Sequence, residues 1–115
     1  MPGPTNARAE AGAFFRIDRF LVPQAARAEF LSRVLQTHRL LADQPGFLGD
    51  HVVERAAASD ANEIVTIAVW ESEEAVVSAR KAVQAMHKAA VFDPGSLFHR
   101  LEIKAEIGNY APVSR

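Results

Sequence analysis

The sequence predicts a single α+β domain in which an antiparallel sheet packs against two helices. Three observations predict it. Four segments have the composition or the two-residue alternation of strands, two longer segments carry apolar residues at helical spacing, and Pro or Gly separates several of these segments. A chain of 115 residues has the length of one domain. The order strand, helix, strand, strand, helix, strand is the ferredoxin-like βαββαβ arrangement.

The first strand is predicted over residues 14–21, with two different faces. Phe15, Ile17 and Leu21 share an apolar face. The opposite face alternates rings with charges: Phe14, Arg16, Asp18 and Phe20. Such a mixture is typical of a pocket or an interface. The first helix follows over residues 24–43 and ends before Pro45-Gly46.

The middle of the sequence predicts two strands, over residues 49–55 and 63–70, joined by a small-residue loop over 56–62. The segment Ile64–Trp70 is apolar on both faces. Both faces must then be covered, because apolar surface in water costs roughly 25 cal/mol per Å². Helices can cover one face. We expect a second copy of the chain to cover the other, giving a homodimeric α+β barrel.

The last third predicts a helix over residues 72–90 that Ser72 caps, then a turn at Asp93-Pro94-Gly95. A long last strand is predicted from Leu97 to Ile107. Residues 1–12 have no apolar period and are predicted to form a flexible N-terminal arm. The domain is therefore assigned to residues 13–108 and a C-terminal tail to residues 109–115.

The composition excludes several classes of protein. The absence of cysteine excludes disulfides, iron–sulfur clusters, thiolate zinc sites and a cysteine nucleophile. The absence of a basic run argues against nucleic acid as a partner, and no apolar run approaches the ~20 residues that span a bilayer. The N-terminus has no signal-peptide pattern. These features predict a soluble cytoplasmic domain without a membrane partner.

Motifs for metals, phosphates and nucleophiles are also missing. The four histidines, His38, His51, His87 and His99, never occur at a spacing of three or four, and no H-E-x-x-H is present. There is no glycine-rich phosphate loop and no G-x-S-x-G. The sequence therefore predicts a protein with no metal and no cofactor.

His87 is the first candidate for chemistry, because the apolar stripe of the second helix turns it toward the sheet. A neutral imidazole there could accept a proton from a phenol or an activated C–H. The alternative is a structural histidine whose nitrogens bind a backbone group or water. His38 has the same two interpretations. His51 and His99 are predicted to be strand residues at the sheet surface or a dimer contact.

Trp70, Phe20, Asp18 and Arg16 are the other candidate site residues. The ring of Trp70 either lines a flat pocket for an aromatic ligand or fills the core beneath the second helix. Asp18 and Arg16 alternate with Phe14 and Phe20, so burial would require a partner or a function for their charges. The alternative places both charges at a solvated edge of the sheet.

The sequence resembles the antibiotic biosynthesis monooxygenase family from about Phe14 to Ile107. The residues that carry this resemblance are Pro45-Gly46-Phe47, the strand Ile64–Trp70 followed by Glu71-Ser72, and a histidine late in the second helix. The family is built from dimeric α+β barrels. It includes oxygenases of anthrones and quinols that need no cofactor, haem-degrading monooxygenases, and members without known activity.

The resemblance implies an oxygenase that deprotonates a small electron-rich aromatic substrate, which then reacts directly with O₂. By this resemblance His87 would be the base, and Trp70 and Phe20 would be pocket or scaffold residues. The strand and helix patterns add Asp18 as a further catalytic candidate and His38 and Arg16 as candidate substrate-binding residues. Haem-degrading members carry Asn, Trp and His where this chain has Asp18, Ala79 and His87, so two of those three residues differ. The rival hypothesis is a non-catalytic barrel that binds a ligand or responds to stress.

Overall fold

The structure, a computed structural model, describes residues 13–114, which form four strands and three α-helices. The arm predicted over residues 1–12 lies outside the described residues. The elements in chain order are β1 (Phe14–Pro23), a 3-10 turn (Gln24–Ala26), α1 (Arg27–Ala42), β2 (Phe47–Ala58), β3 (Ala61–Trp70), α2 (Glu73–Ala89), α3 (Pro94–Leu101) and β4 (Lys104–Tyr110).

The four strands form one antiparallel sheet in the order β2-β3-β1-β4. In the centre of this sheet Ile17 lies opposite Ile67 on β3 and opposite Gly108 on β4. The connection from β1 through α1 and the connection from β3 through α2 each cross to a strand that is not adjacent in the order. This confirms the ferredoxin-like α+β fold.

The helices cover one face of the sheet with two groups of buried side chains. The first group joins β1, β3, α1, the 3-10 turn and the residue before β4: Phe20, Val22, Ala26, Phe30, Ile64 and Ile103. The second lies beneath the start of α2: Ala68, Trp70, Val76 and Ala79. Phe20 therefore points to the helical side, as the predicted alternation of β1 requires, and so do its neighbours Asp18 and Arg16 two and four residues earlier.

The opposite face, here called the open face, has no helix of the described residues packed on it. Its apolar side chains come from all four strands: Phe15, Ile17, Leu21, Val53, Val65, Ile67, Val69 and Tyr110. Val53 is 50% exposed and Tyr110 is 47% exposed. A single chain thus leaves these apolar side chains uncovered, beside an ion-pair cluster of Arg19, Arg55, Glu63 and Glu106 on the same face. Within the described residues, no helix has both the length and the apolar character needed to cross a membrane.

The prediction of a long last strand from Leu97 was wrong for its first half. Residues 94–101 form α3, and β4 begins only at Lys104 and continues to Tyr110, beyond the predicted end of the domain. Asp93 accepts a hydrogen bond from the Gly95 N–H at 3.2 Å, and Pro94 occupies the first helical turn. Asp-Pro-Gly therefore begins a helix here instead of forming a simple turn.

The loop predicted over residues 56–62 was also too long. β2 extends to Ala58 and β3 begins at Ala61, so only Ser59 and Asp60 make the turn of a hairpin. The small side chains that suggested a loop pair across the two strands instead. Tertiary pairing overrides the weak strand preference of alanine at these positions.

The Pro45-Gly46-Phe47 turn has a steric reason for its glycine. Gly46 has φ of 86°, and a Cβ at this position would lie 2.6 Å from the Cβ of Ala75 on α2. The Gly46 carbonyl also accepts a hydrogen bond from the Glu71 N–H at 2.8 Å. The turn is thereby fixed against the start of α2, where Ser72 accepts from the Ala75 N–H as predicted.

Gly46→Ala should lower the free energy of unfolding by about 1–3 kcal/mol from backbone strain alone, with the clash against Ala75 adding to this cost. The control is Gly49→Ala, since no atom lies within 4 Å of a Cβ built at Gly49. Urea denaturation of both variants measures the difference. Equal stability of the two variants would show that the turn does not need glycine.

A charged contact joins the start of α1 to β2. Arg27 Nε donates to Glu54 Oε2 at 3.0 Å, and Asn62 Nδ2 donates to the same oxygen at 2.9 Å. The hydrogen bond from Arg27, followed by that from Asn62, lowers the pKa of Glu54 from 4.5 to about 2. The pKa is lower in the folded state, so this contribution to stability is complete above pH ~4.5 and is lost as the pH falls toward 2.

We therefore expect the melting temperature of the wild type to fall more between pH 6 and pH 3 than that of Glu54→Gln. The glutamine has no proton to take up, so its contacts with Arg27 and Asn62 do not titrate. Thermal denaturation at both pH values measures the two differences. Parallel losses in both proteins would contradict a role for Glu54 in acid sensitivity.

Candidate functional site

A cleft of about 230 Å³ lies between the helices and the helical side of the sheet. Its polar and charged lining comes from β1, β3, α1 and α2: Arg16, Asp18, Arg33, Thr37, His38, Thr66 and His87. Aromatic rings form much of the rest: Phe20, Phe30, Phe92 and Phe98. The rings of Phe20 and Phe30 lie 4.8 Å apart and those of Phe20 and Phe98 lie 5.7 Å apart, so they form a packed wall.

Five of the six predicted site residues meet in this cleft. They are His87, Asp18, Arg16, Phe20 and His38. Phe20 is buried in the core group of β1, and the other four are partly exposed. Residues 69 positions apart in the chain, Asp18 and His87, are thus brought to one cavity by the packing of α2 on β1.

Trp70, the sixth predicted residue, lines a neighbouring hollow of about 170 Å³. Its side chain is 2% exposed and packs edge-on against Phe47, with ring centroids 5.3 Å apart. Ala79 of α2 is buried in the same group. Arg16 and Asp18 line both spaces, so they mark the boundary between the cleft and this hollow. Trp70 therefore acts chiefly as core, with one side toward the hollow.

Arg16 and Asp18 form an ion pair on the floor of the cleft. Arg16 Nε donates to Asp18 Oδ1 at 2.7 Å, and their side chains are 26% and 18% exposed. The two residues are adjacent on one strand face because side chains alternate along β1. The ion pair offsets the free-energy cost of placing either charge among aromatic rings. Within residues 13–114, the second oxygen of Asp18 makes no side-chain hydrogen bond.

His38 is held by a carboxylate that the sequence did not single out. His38 Nδ1 lies 2.7 Å from Oδ2 of Asp50 on β2, and the His38 side chain is only 11% exposed. An ionised carboxylate can only accept, so the proton of this hydrogen bond belongs to Nδ1. In a neutral imidazole this leaves Nε2 as the acceptor nitrogen.

His87 lies near the end of α2, where the backbone that follows the helix brings the ring of Phe92 against it. The Phe92 N–H donates to the His87 carbonyl at 2.8 Å, and the Val91 N–H donates to the Lys88 carbonyl at 3.1 Å. This is the hydrogen-bond pattern of a Schellman motif, with Val91 at φ of 51°. It places the rings of Phe92 and His87 edge to face, with centroids 5.1 Å apart.

Arg33 of α1 completes this end of the cleft. Its guanidinium carbon lies 4.1 Å from the centroid of the Phe92 ring. A cation over an aromatic face is attracted by the ring quadrupole. The cleft therefore has a cationic and aromatic end around Arg33, Phe92 and His87, and a second end where Arg16 pairs with Asp18.

The sequence analysis missed Asp50, Arg33 and the rings that α3 contributes. Asp50 could have been found, because it shares a strand face with Val52, which packs against the core. Phe98 was missed because its segment was assigned to a strand. His99, predicted to lie on that strand, is instead an exposed residue of α3, whereas His51 lies exposed on β2 as predicted.

The cleft combines proton acceptors with an aromatic enclosure. Two histidines, one carboxylate and two guanidinium groups face the same space. Such an arrangement can take a proton from a flat aromatic molecule and stabilise the anion that forms. Within residues 13–114, no three His, Asp or Glu side chains converge in the way that would hold a metal ion.

Comparison with solved structures finds the same fold in several proteins. SnoaB, a cofactor-independent oxygenase from Streptomyces nogalater, is 24% identical with a TM-score of 0.63, covering 91% of this chain and 97% of SnoaB. A MhuD variant with two manganese protoporphyrin IX molecules bound per active site is 22% identical with a TM-score of 0.61, covering 89% and 96%. A dimeric ferredoxin-like protein from an uncultured marine organism is 10% identical with a TM-score of 0.60, covering 90% and 97%.

At these identities the structural similarity establishes the fold alone. A search of curated proteins by sequence finds no significant match. The family model described as antibiotic biosynthesis monooxygenase, however, matches residues 13–91, which include β1, α1, β2, β3 and α2. On this match, the chain belongs to the antibiotic biosynthesis monooxygenase family.

Proposed function

We propose that this protein is a cofactor-independent monooxygenase that oxidises a small electron-rich aromatic molecule, of the quinol or anthrone kind, with O₂. The observation that carries the proposal is the convergence of His87, His38 and the Arg16–Asp18 pair on one cleft walled by aromatic rings. Family membership and the similarity to SnoaB support an oxygenase, and the cleft supports a flat aromatic substrate.

The reaction begins with proton transfer. His87 accepts a proton from the substrate, and the resulting anion is rich enough in electrons to reduce O₂. For an anthrone, a CH₂ group becomes C=O, one oxygen atom of O₂ enters the product, and the other leaves as water with the two hydrogens. The substrate supplies all the electrons, so the balance needs no further reductant.

The other residues of the cleft bind the substrate and stabilise its anion. The Phe20 ring packs against the flat face of the substrate, and Trp70 supports the sheet behind it. Arg16 offsets the negative charge of the substrate anion, while Asp18 holds Arg16 in place and is a second candidate for the proton. The ring wall reduces the contact of a bound substrate with water, which strengthens each of these electrostatic contacts.

The dimensions of the cleft do not suit haem. Pockets for drug-sized ligands measure ~300–1,000 Å³, and this cleft measures about 230 Å³. The adjoining hollow is separated from it by the Arg16–Asp18 pair, and Ala79 stands where haem-degrading members have a tryptophan. A one- to three-ring substrate suits the cleft better than a macrocycle, so no step is assigned to haem.

A homodimer is part of the proposal. The open face carries apolar side chains from all four strands, and the ferredoxin-like protein of the marine organism is described as dimeric. Packing two open faces together would bury them in an α+β barrel, with an interface of more than roughly 1,200 Å². The absence of cysteine supports a reducing cytoplasmic location.

The rival function is a non-catalytic barrel that binds a small ligand in the same cleft. Oxygen uptake by the purified dimer against hydroquinones, anthrones and haem separates the two. We expect uptake with at least one hydroquinone or anthrone, above the autoxidation rate and without added metal or flavin. Binding of these compounds without any oxygen uptake would favour the rival.

A further inference from the structure

The contact between His38 and Asp50 joins a helix to a strand at the edge of the cleft. His38 lies on α1 and Asp50 on β2, and Nδ1 and Oδ2 are 2.7 Å apart. The His38 side chain is only 11% exposed, and that of Asp50 is 35% exposed. Because one nitrogen of this largely buried imidazole is hydrogen-bonded, the ring cannot rotate freely. Its other nitrogen therefore has a fixed direction.

His38 lines the cleft and has a second ring nitrogen, Nε2, that its contact with Asp50 does not use. Among the described residues, Nδ1 is the only His38 side-chain atom with a hydrogen bond, and no fully buried side-chain nitrogen or oxygen lacks a partner. Nε2 is therefore accessible, and His38 is part of the cleft lining. With the proton held on Nδ1 by Asp50, Nε2 presents a lone pair to whatever occupies the cleft.

The proposed oxidation of a CH₂ group to C=O requires two C–H protons to leave. The first goes to His87, giving a carbanion whose electron pair forms a C–O bond with O₂. The peroxide oxygen then takes that proton back from His87. The second C–H proton must leave as the O–O bond breaks, so that the C–H electron pair forms C=O and hydroxide departs.

We propose that His38 accepts this second proton through Nε2 and that Asp50 is its positioning residue. Protonated His38 then gives the proton to the departing hydroxide, which leaves as water and restores the starting state. This inference rests on the proposed function. The other charged or titratable groups of the cleft are Arg16, Asp18, Arg33 and His87. Within the described residues, none of them is hydrogen-bonded to the side chain of His38.

The test compares His38→Gln and Asp50→Asn with the wild type, using anthrone as the substrate. Oxygen uptake and the amount of ketone are measured together after rapid quenching. Both variants should still take up oxygen, but ketone formation should slow by ~10² or more, so that the hydroperoxide accumulates. In serine-protease triads, replacing the carboxylate by an amide costs about 10⁴, because the histidine takes the wrong tautomer.

A substrate-free measurement checks the positioning role. Nitrogen NMR of the His38 ring should find the proton on Nδ1 in the wild type and on Nε2 in Asp50→Asn. The controls are His99→Gln and Asp43→Asn, two exposed residues outside the cleft. Circular dichroism establishes that all four variants are folded.

Two failures can be told apart. A wild type that takes up no oxygen with anthrone or any hydroquinone overturns the proposed function and this inference with it. An active wild type whose His38→Gln and Asp50→Asn variants form one ketone per O₂ at the wild-type rate overturns this inference alone. A wild-type His38 protonated on Nε2 overturns it as well.

Discussion

His87→Ala should lower turnover of an anthrone or hydroquinone by at least ~10², because removing a general base commonly costs ~10²–10⁴ in rate. Oxygen uptake and product should fall together, since His87 acts before O₂ reacts. The fold should persist, because alanine is the residue best tolerated within a helix.

His99→Ala is the matched control for this experiment. His99 is an exposed histidine of the neighbouring helix α3 and does not line the cleft. Its loss should leave the rate unchanged. If His87→Ala kept near-full activity, the first proton would have to go elsewhere, with Asp18 and His38 the remaining candidates in the cleft.

Ile67→Asp should dissociate or unfold the protein. Ile67 lies at the centre of the open face, between Ile17 on β1 and His51 on β2. An unpaired charge buried in an interface costs roughly 3–5 kcal/mol, and a symmetric dimer contains it twice. The dissociation constant should rise by more than ~100-fold. Sedimentation velocity at micromolar concentration measures this change, and circular dichroism distinguishes dissociation from unfolding.

A pair of exposed valines makes the same test without risk to the core. Val53, on the open face, is 50% exposed, and Val77, on the outer side of α2, is 44% exposed. Val53→Asp should weaken the dimer while Val77→Asp leaves it intact. A wild type that sediments as a stable monomer, or equal behaviour of the two variants, would contradict a dimer built on the open face.

Local sequence patterns were sufficient to predict the central elements of the fold. The two-residue alternation of β1 placed Arg16, Asp18 and Phe20 together, and the Ser72 cap marked the start of α2, as the structure confirms. The segment after Asp93 was misassigned because Leu97, Leu101 and Ile103 fit a strand and a helix about equally well over so short a length. The signal that distinguishes the helix from a strand is Asp93 at the cap position followed by Pro94 in the first turn.

The site was predictable only in part, because contacts between distant elements set it. His87 and Asp18 could be placed on the sheet-facing sides of their elements, but the sequence gives no distance between them. The partner of His38 was hidden because Asp50 comes from a different element, and its proximity depends on how α1 crosses β2. Phe92 reaches His87 only through the backbone reversal at Val91.

The most direct test of the central claim is to follow oxygen atoms into the product. Purified protein freed of metals by a chelator is given anthrone and ¹⁸O₂ without flavin or haem, and the product is analysed by mass spectrometry. The account predicts one ¹⁸O atom per product molecule, with the second atom recovered in water. A product without label, or a dependence of turnover on added metal or cofactor, would contradict it.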